Sequence, residues 1–67
     1  MGSQDQLGKN IKKAREKLGL TQEQVADKAG IHVNYFARVE RGEQTPSVDV
    51  LDEIAKAVKV RAADLLS

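Results

Sequence analysis

Two side chains, Asn34 and Arg38, have the chemistry and the spacing to hydrogen-bond to the edges of nucleic-acid bases. They stand about one helical turn apart, so a helix here would place both on one face. A carboxamide suits adenine N6 and N7, and a guanidinium suits guanine O6 and N7. On a helical wheel that sets Phe36 inward, Val39 and Glu40 also point inward. Asn34 and Arg38 then point away, which predicts an exposed polar pair on an anchored helix.

The elements that must position this pair are two short helices joined by a tight turn within residues 21–42. Thr21 is suited to cap the first of them, and Gln24 stands three residues later to complete a capping box. Gly30 ends that helix where a positive φ is needed. A second helical pattern over residues 33–41 follows almost at once. Helices of this length with a short glycine-containing turn are typical of a helix-turn-helix.

Three further helices are predicted around this pair, and no strand-like alternation persists anywhere. The first covers residues 4–18 and carries an apolar stripe at helical spacing. The fourth begins with Pro46 at its first position and Thr45 as its N-cap, because the missing N–H of proline costs nothing there. A short last helix over residues 62–66 supplies two leucines. The chain is therefore predicted to be all-α, with five helices.

Size and composition narrow the classes of function. A chain of 67 residues without cysteine predicts one small domain held by apolar packing, without disulfides or thiolate metal sites. One histidine and scattered carboxylates form no nucleophile–base pair and no metal cluster, so neither an enzyme nor a cofactor is expected. Without a membrane-spanning apolar run or a secretory signal, a cytoplasmic protein is expected. Residues 1–3 are interpreted as an expression-tag remnant, which leaves the domain at residues 4–67.

Charge is distributed unevenly along the chain. The net charge is +1, made up of +3 over residues 1–42 and −2 over residues 43–67. Asymmetry between halves is a hint of nucleic-acid contact. An ordinary solvated charged face explains it about equally well.

Several segments together resemble a known family. The opening LTQEQVA of the second helix, the VERG that ends the third, the TPS before the fourth and the terminal DLL carry the likeness. With them, the chain from Leu7 to Leu66 resembles the lambda-repressor-like, Cro/repressor-type helix-turn-helix family, also called the XRE family. The resemblance implies a compact five-helix DNA-binding domain whose second and third helices form the helix-turn-helix.

The resemblance also assigns roles to residues around the third helix. Base contacts fall on Val33, Asn34 and Arg38, and Val33 is suited to a thymine methyl. Tyr35 contacts either a base or a phosphate. The full set of expected DNA-contacting residues is Gln22, His32, Val33, Asn34, Tyr35, Arg38, Arg41, Gln44 and Thr45.

Some of these residues keep two interpretations. Gln22 matches a family residue that contacts the DNA backbone, and the helix N-terminus there favours a phosphate; the alternative is a neutral residue of the first turn without a contact to DNA. His32 is expected as an N-cap or a phosphate contact, and Arg41 as a phosphate contact or an ordinary helix-end residue. Gln44 and Thr45 remain available to phosphate through side chains or backbone N–H groups.

An inward carboxylate, Glu40, needs a partner, since an unpaired buried charge is costly. Arg15 flanks the apolar stripe of the first helix, and the family carries an Arg–Glu pair at these two positions. A structural ion pair between Arg15 and Glu40 is therefore expected to orient the third helix.

Two functions remain in competition. The first is a sequence-specific regulator of transcription, a repressor that binds double-stranded DNA at a palindromic operator as a homodimer. The second is a protein-interaction module of the same fold, antitoxin- or coactivator-like, with weak or no specific DNA binding. The second draws support from Glu43, which places negative charge in a loop where family members often carry basic residues.

Overall fold

Five α-helices make up the part of the chain that the structure describes, as the sequence pattern predicts. The computed structural model describes residues 3–67, with side chains from residue 5 onward. Met1 and Gly2 of the expected remnant lie outside this range, whereas Ser3 opens the first helix. The helices are α1 (Ser3–Lys17), α2 (Gln22–Ala29), α3 (Val33–Glu40), α4 (Val48–Ala57) and α5 (Ala62–Leu65).

The core forms where α2 packs against α3 and α4, while α1 covers α3 and α5. The Cα atoms of the folded chain extend over 28 × 21 × 21 Å along its three principal axes. Among the described residues, no helix is both long enough and apolar enough to cross a membrane. The largest side chains that are almost wholly buried are Phe36, Ile11, Ile54, Val25, Val39 and Val58.

Gly8 sets the distance between α1 and α3. It is buried against the C-terminal end of α3, and a Cβ at this position would lie 2.7 Å from the carbonyl oxygen of Val39. The same Cβ would lie closer still to the carbonyl oxygen of Glu40. The two backbones therefore approach each other at a point where only a glycine fits.

The predicted start of the fourth helix is wrong by two residues. Ser47, not Thr45, is the N-cap, and its hydroxyl accepts the N–H of Val50 at 3.2 Å. Pro46 is buried before the helix instead of occupying its first position. Both Thr and Ser are good N-caps, and here the burial of the proline leaves Ser47 to satisfy the free N–H groups.

The two C-terminal leucines separate in their environment. Leu65 is 2% exposed and belongs to the core, whereas Leu66 is 64% exposed. The last helix thus gives the core one leucine and leaves the other on the surface.

Candidate nucleic-acid interface

The third helix presents the predicted face to solvent. Phe36 and Val39 are 0% and 1% exposed, and they anchor α3 in the core. Asn34 and Arg38 are both exposed on the side opposite to these anchors. Because buried apolar groups fix the rotation of a helix, the amide and the guanidinium project together, one turn apart.

The N-terminus of α3 is capped by an imidazole. Nδ1 of His32 accepts the backbone N–H of Asn34 at 3.0 Å, so His32 occupies the N-cap position that the sequence predicts. The ring remains exposed. Val33 and Tyr35 are half-buried and pack against the core, with part of each side chain on the surface beside Asn34.

Both ends of α2, the helix before the turn into α3, are capped by local contacts. The Thr21 hydroxyl accepts the N–H of Gln24 at 3.1 Å, and Gln24 Oε1 accepts the N–H of Thr21 at 2.8 Å, which completes the predicted capping box. Gly30 has φ 73°, a left-handed conformation that costs glycine little. The N–H of Ile31 then bonds to the carbonyl of Ala26 at 3.0 Å. Local hydrogen bonds therefore close both ends of α2.

The ion pair expected between Arg15 and Glu40 is present. Arg15 Nε donates to Glu40 Oε2 at 2.7 Å and Nη2 donates to Oε1 at 3.1 Å, while the two side chains are 12% and 3% exposed. The hydrogen bond to Glu40 raises the pKa of Arg15 above its ordinary value, although burial opposes this. Nη1 also donates to the carbonyl of Leu20 at 2.9 Å. One guanidinium therefore ties α1 to α3 and to the segment before α2.

Gln22 joins this pair, which the sequence interpretation missed. Its Nε2 donates to Glu40 Oε1 at 2.9 Å, and its side chain is half-buried. An ionised carboxylate has more acceptor sites than one arginine fills. The unfilled acceptor sites of Glu40 were the signal that a second donor would be found beside Arg15. Arg15, Gln22 and Glu40 connect α1, α2 and α3, and we refer to them as the buried triad.

A second ion pair lies just beyond α3. Arg41 Nε and Nη2 each donate to a carboxylate oxygen of Glu43 at 3.1 Å, and both side chains are more than half exposed. The hydrogen bond from Arg41 lowers the pKa of Glu43, and the positive charge of Arg38 contributes further. The guanidinium expected to contact phosphate is therefore already engaged by a carboxylate.

The remaining predicted contacts follow in the same segment. Gln44 is half-buried and Thr45 is exposed between α3 and α4. Gln22 is brought against the C-terminal end of α3 by its bond to Glu40. Val33, Asn34, Tyr35 and Arg38 thus lie on α3 and His32 caps it, whereas Gln22, Arg41, Gln44 and Thr45 lie outside the helix.

Comparison with known proteins gives the same architecture. Residues 11–65 match the HTH_3 family model, described as helix-turn-helix. An uncharacterised HTH-type transcriptional regulator of Mycobacterium tuberculosis is 42% identical over 55 residues, which cover 82% of this chain and 39% of the relative. The immunity repressor protein of Bacillus phage phi105 is 33% identical over 60 residues, covering 90% of this chain and 42% of the repressor. The chain thus spans about two fifths of the length of these two relatives.

A solved structure shares the fold over nearly its whole length. The restriction-modification controller protein C.AhdI from Aeromonas hydrophila superposes with a TM-score of 0.90 at 27% identity, covering 92% of this chain and 94% of that one. The family match, the curated relatives and this superposition confirm the resemblance to XRE-type regulators. The chain belongs to the HTH_3 family of helix-turn-helix proteins.

Proposed function

We propose that this chain is a sequence-specific DNA-binding regulator of transcription that inserts α3 into the major groove of double-stranded DNA. The observation that carries the proposal is the exposure of Asn34 and Arg38 on one face of a helix whose opposite face is buried. A major groove admits a helix, and these side chains match the donor and acceptor patterns of adenine and guanine. In the helix-turn-helix mode, the N-terminal part of the second motif helix contacts base edges.

The finer proposal is a repressor that binds a palindromic operator as a homodimer. The name of the phage phi105 relative, an immunity repressor protein, supports repression. A two-fold dimer would place two copies of α3 on half-sites one helical turn apart. The exposed Leu66 offers an apolar contact at the end of α5 for such a pair.

Around α3, the phosphate contacts of this proposal come from both flanks. Gln22 lies at the N-terminus of α2, where free N–H groups attract anions. Its amide is shared with Glu40, so it positions α3 as well. The other proposed phosphate contacts are His32, Arg41, Gln44 and Thr45. On α3 itself, Val33 is proposed to contact a base, and Tyr35 a base or a phosphate.

Selection from a pool of random duplexes tests base recognition. We expect an enriched sequence, and Arg38→Ala should weaken its binding by about 1–3 kcal/mol while relaxing the preference at one position. Lys28→Ala, which removes an exposed charge at the end of α2, is the matched control and should leave the preference intact. If no sequence is enriched, or if both variants lose the same binding free energy, the proposal that α3 recognises bases is wrong.

The second candidate, a protein-interaction module, is favoured by one observation. Glu43 engages the guanidinium of Arg41 beside α3, where a phosphate-binding surface gains from free positive charge. If this function is correct, the selection yields no consensus, and any residual duplex binding is equal for all sequences. The same experiment therefore separates the two candidates.

A further inference from the structure

A groove of about 400 Å³ lies on a face to which α3 contributes no residue. It runs between the second half of α1 and the segment that links α4 to α5. This volume is within the range of pockets that hold small ligands or a few side chains. Leu18, one of its apolar lining residues, is 41% exposed, so the apolar floor of the groove is accessible to solvent. The apolar residues that line it are Ala14, Leu18, Val58, Val60 and Leu65.

Lysines border this apolar floor. Lys13, Lys17 and Lys59 line the groove, and all three are exposed. None of them lies within 4.0 Å of a carboxylate among the described residues. The one acidic side chain in the lining, Asp64, is paired with Arg61 at 3.2 Å. The groove therefore combines an apolar floor with an uncompensated positive rim.

Lys59 is held at this rim by an unusual backbone conformation. It has φ 61°, the one positive φ of a non-glycine residue in the described part of the chain. Glycine takes the corresponding left-handed position after α1, α2 and α3, at Gly19, Gly30 and Gly42. A lysine there is strained where glycine is not. Lys59 nevertheless occupies this position and lines the groove.

We propose that this groove binds an acidic amphipathic helix of a partner protein. Apolar side chains on one face of such a helix would cover the floor, and its flanking Asp and Glu would meet the three lysines. Helix-in-groove recognition uses this combination of apolar anchors and complementary charge. Nucleic acid fits less well, because phosphates gain nothing from an apolar floor. The site is separate from the proposed DNA surface, so the two proposals stand or fall independently.

Titration with synthetic peptides tests the proposal. The probe is a helical peptide with leucines along one face and glutamates on both flanks, and the control peptide carries lysines in place of the glutamates. We expect amide chemical-shift changes from the acidic peptide at residues 13–18 and 58–65, and none there from the basic peptide. Equal binding of both peptides, or changes confined to α3, would overturn the proposal.

Matched charge variants localise the binding. Lys13→Gln/Lys17→Gln/Lys59→Gly removes the rim, whereas Lys9→Gln/Lys12→Gln/Lys28→Gln removes three exposed lysines outside the lining. Losing three exposed ion pairs should weaken the acidic peptide roughly tenfold in the first variant, with little change in the second. Equal weakening would mean that only net charge matters. Because Lys59→Gly relieves strain, misfolding is not expected to confuse this comparison.

Two further measurements exclude other occupants. Any self-association of the unliganded chain, measured by sedimentation equilibrium, should persist in the rim variant. Self-association that the rim variant abolishes would assign the groove to a second copy of the chain. Binding to a duplex should be the same for the rim variant and for the variant at Lys9, Lys12 and Lys28, since both have lost the same positive charge. A greater loss of duplex binding in the rim variant than in the charge-matched variant would assign the rim lysines to phosphate instead.

Discussion

At the scale of single residues, Glu43 opposes the proposed phosphate contact of Arg41. Two hydrogen bonds occupy the guanidinium fork, yet both side chains are more than half exposed. Exposed pairs of this kind contribute little to stability, so a phosphate can exchange for the carboxylate. Glu43 then remains nearby as an uncompensated negative charge. We therefore expect Glu43 to weaken DNA binding.

Glu43→Gln should raise the affinity for duplex DNA. Freeing Arg41 for one phosphate should also steepen the dependence of log K on log salt by about 1. Fluorescence anisotropy over a salt series measures both effects. Glu53→Gln is the matched control, since Glu53 is also an exposed glutamate, paired with Lys56 at 3.6 Å. An equal gain in both variants would show that only net charge was changed.

The titration of Glu43 gives a pH test of the same pair. The hydrogen bond from Arg41 lowers the pKa of Glu43 in the folded protein. Its contribution to stability is thus complete above the unfolded-state pKa and is lost as pH falls through the lowered folded-state pKa. Carboxyl chemical shifts should titrate below the ordinary range for glutamate. Arg41→Gln should return the pKa toward that range; an unchanged midpoint would contradict the bond in solution.

Glu40→Ala should destabilise the fold strongly. It leaves the largely buried guanidinium of Arg15 without its carboxylate, and breaking a buried pair costs about 3–5 kcal/mol. Urea unfolding measures the loss. Glu53→Ala removes an exposed pair and should change the free energy of unfolding by less than about 1 kcal/mol. Similar losses in the two variants would mean that the buried triad does not secure α3.

The direction in which a side chain points from its helix can be predicted from the sequence, but its hydrogen-bond partners in other segments cannot. The outward pair and the inward Glu40 follow from the position of Phe36 on the wheel alone. The bond from Gln22 to Glu40 and the pair of Arg41 with Glu43 do not follow, since they depend on side-chain rotamers across elements or within a loop. A glutamine in the first turn of α2 gives no sign of whether it turns toward phosphate or toward the core.

At the scale of elements, the close contact between α1 and α3 predicts whether a substitution at Gly8 stabilises or destabilises the fold. Replacing an unhindered glycine inside a helix by alanine stabilises it by roughly 0.5–1 kcal/mol. At Gly8 the added methyl would instead press on the carbonyl groups of Val39 and Glu40. We expect Gly8→Ala to lower the free energy of unfolding by about 1–3 kcal/mol, measured by chemical denaturation.

The control for Gly8→Ala is Gly19→Ala. A Cβ at Gly19 meets nothing within 4 Å, but its φ of 68° strains any other residue. That variant should therefore cost about 1–2 kcal/mol through backbone strain alone, without separating two helices. A stabilising Gly8→Ala would show that α1 and α3 lie farther apart in solution.

Local signals account for the elements that the sequence predicts well. The capping box of α2 and the left-handed Gly30 each depend on residues that are close together in the sequence. They can therefore be predicted without knowing the tertiary structure. The start of α4 is different, because Thr45 and Ser47 flank one proline and either can cap a helix. The burial of Pro46, a property of the folded chain, selects Ser47.

At the scale of the whole molecule, a specific duplex should stabilise the fold by mass action. A ligand that binds only the folded state at a free concentration of 100 times Kd adds about 2.7 kcal/mol. Thermal unfolding should therefore shift upward with the enriched duplex and much less with a shuffled one. Arg38→Ala should lose most of the difference between the two duplexes. Equal shifts from both would indicate binding without base recognition.

The dimensions of the chain set the geometry of a pair of copies on one duplex. The longest Cα extent of 28 Å falls short of one helical repeat of DNA, which is about 34 Å. Side chains add to this extent, so if the proposed pair of copies binds one repeat apart with the longest axis of each along the duplex, the two copies would lie within contact distance. Moving one copy by half a repeat would carry it to the opposite side and end that contact. Inserting about five base pairs between half-sites would thus abolish any cooperative binding of the two copies. Inserting about ten would return both copies to the same side of the duplex but leave them too far apart to touch.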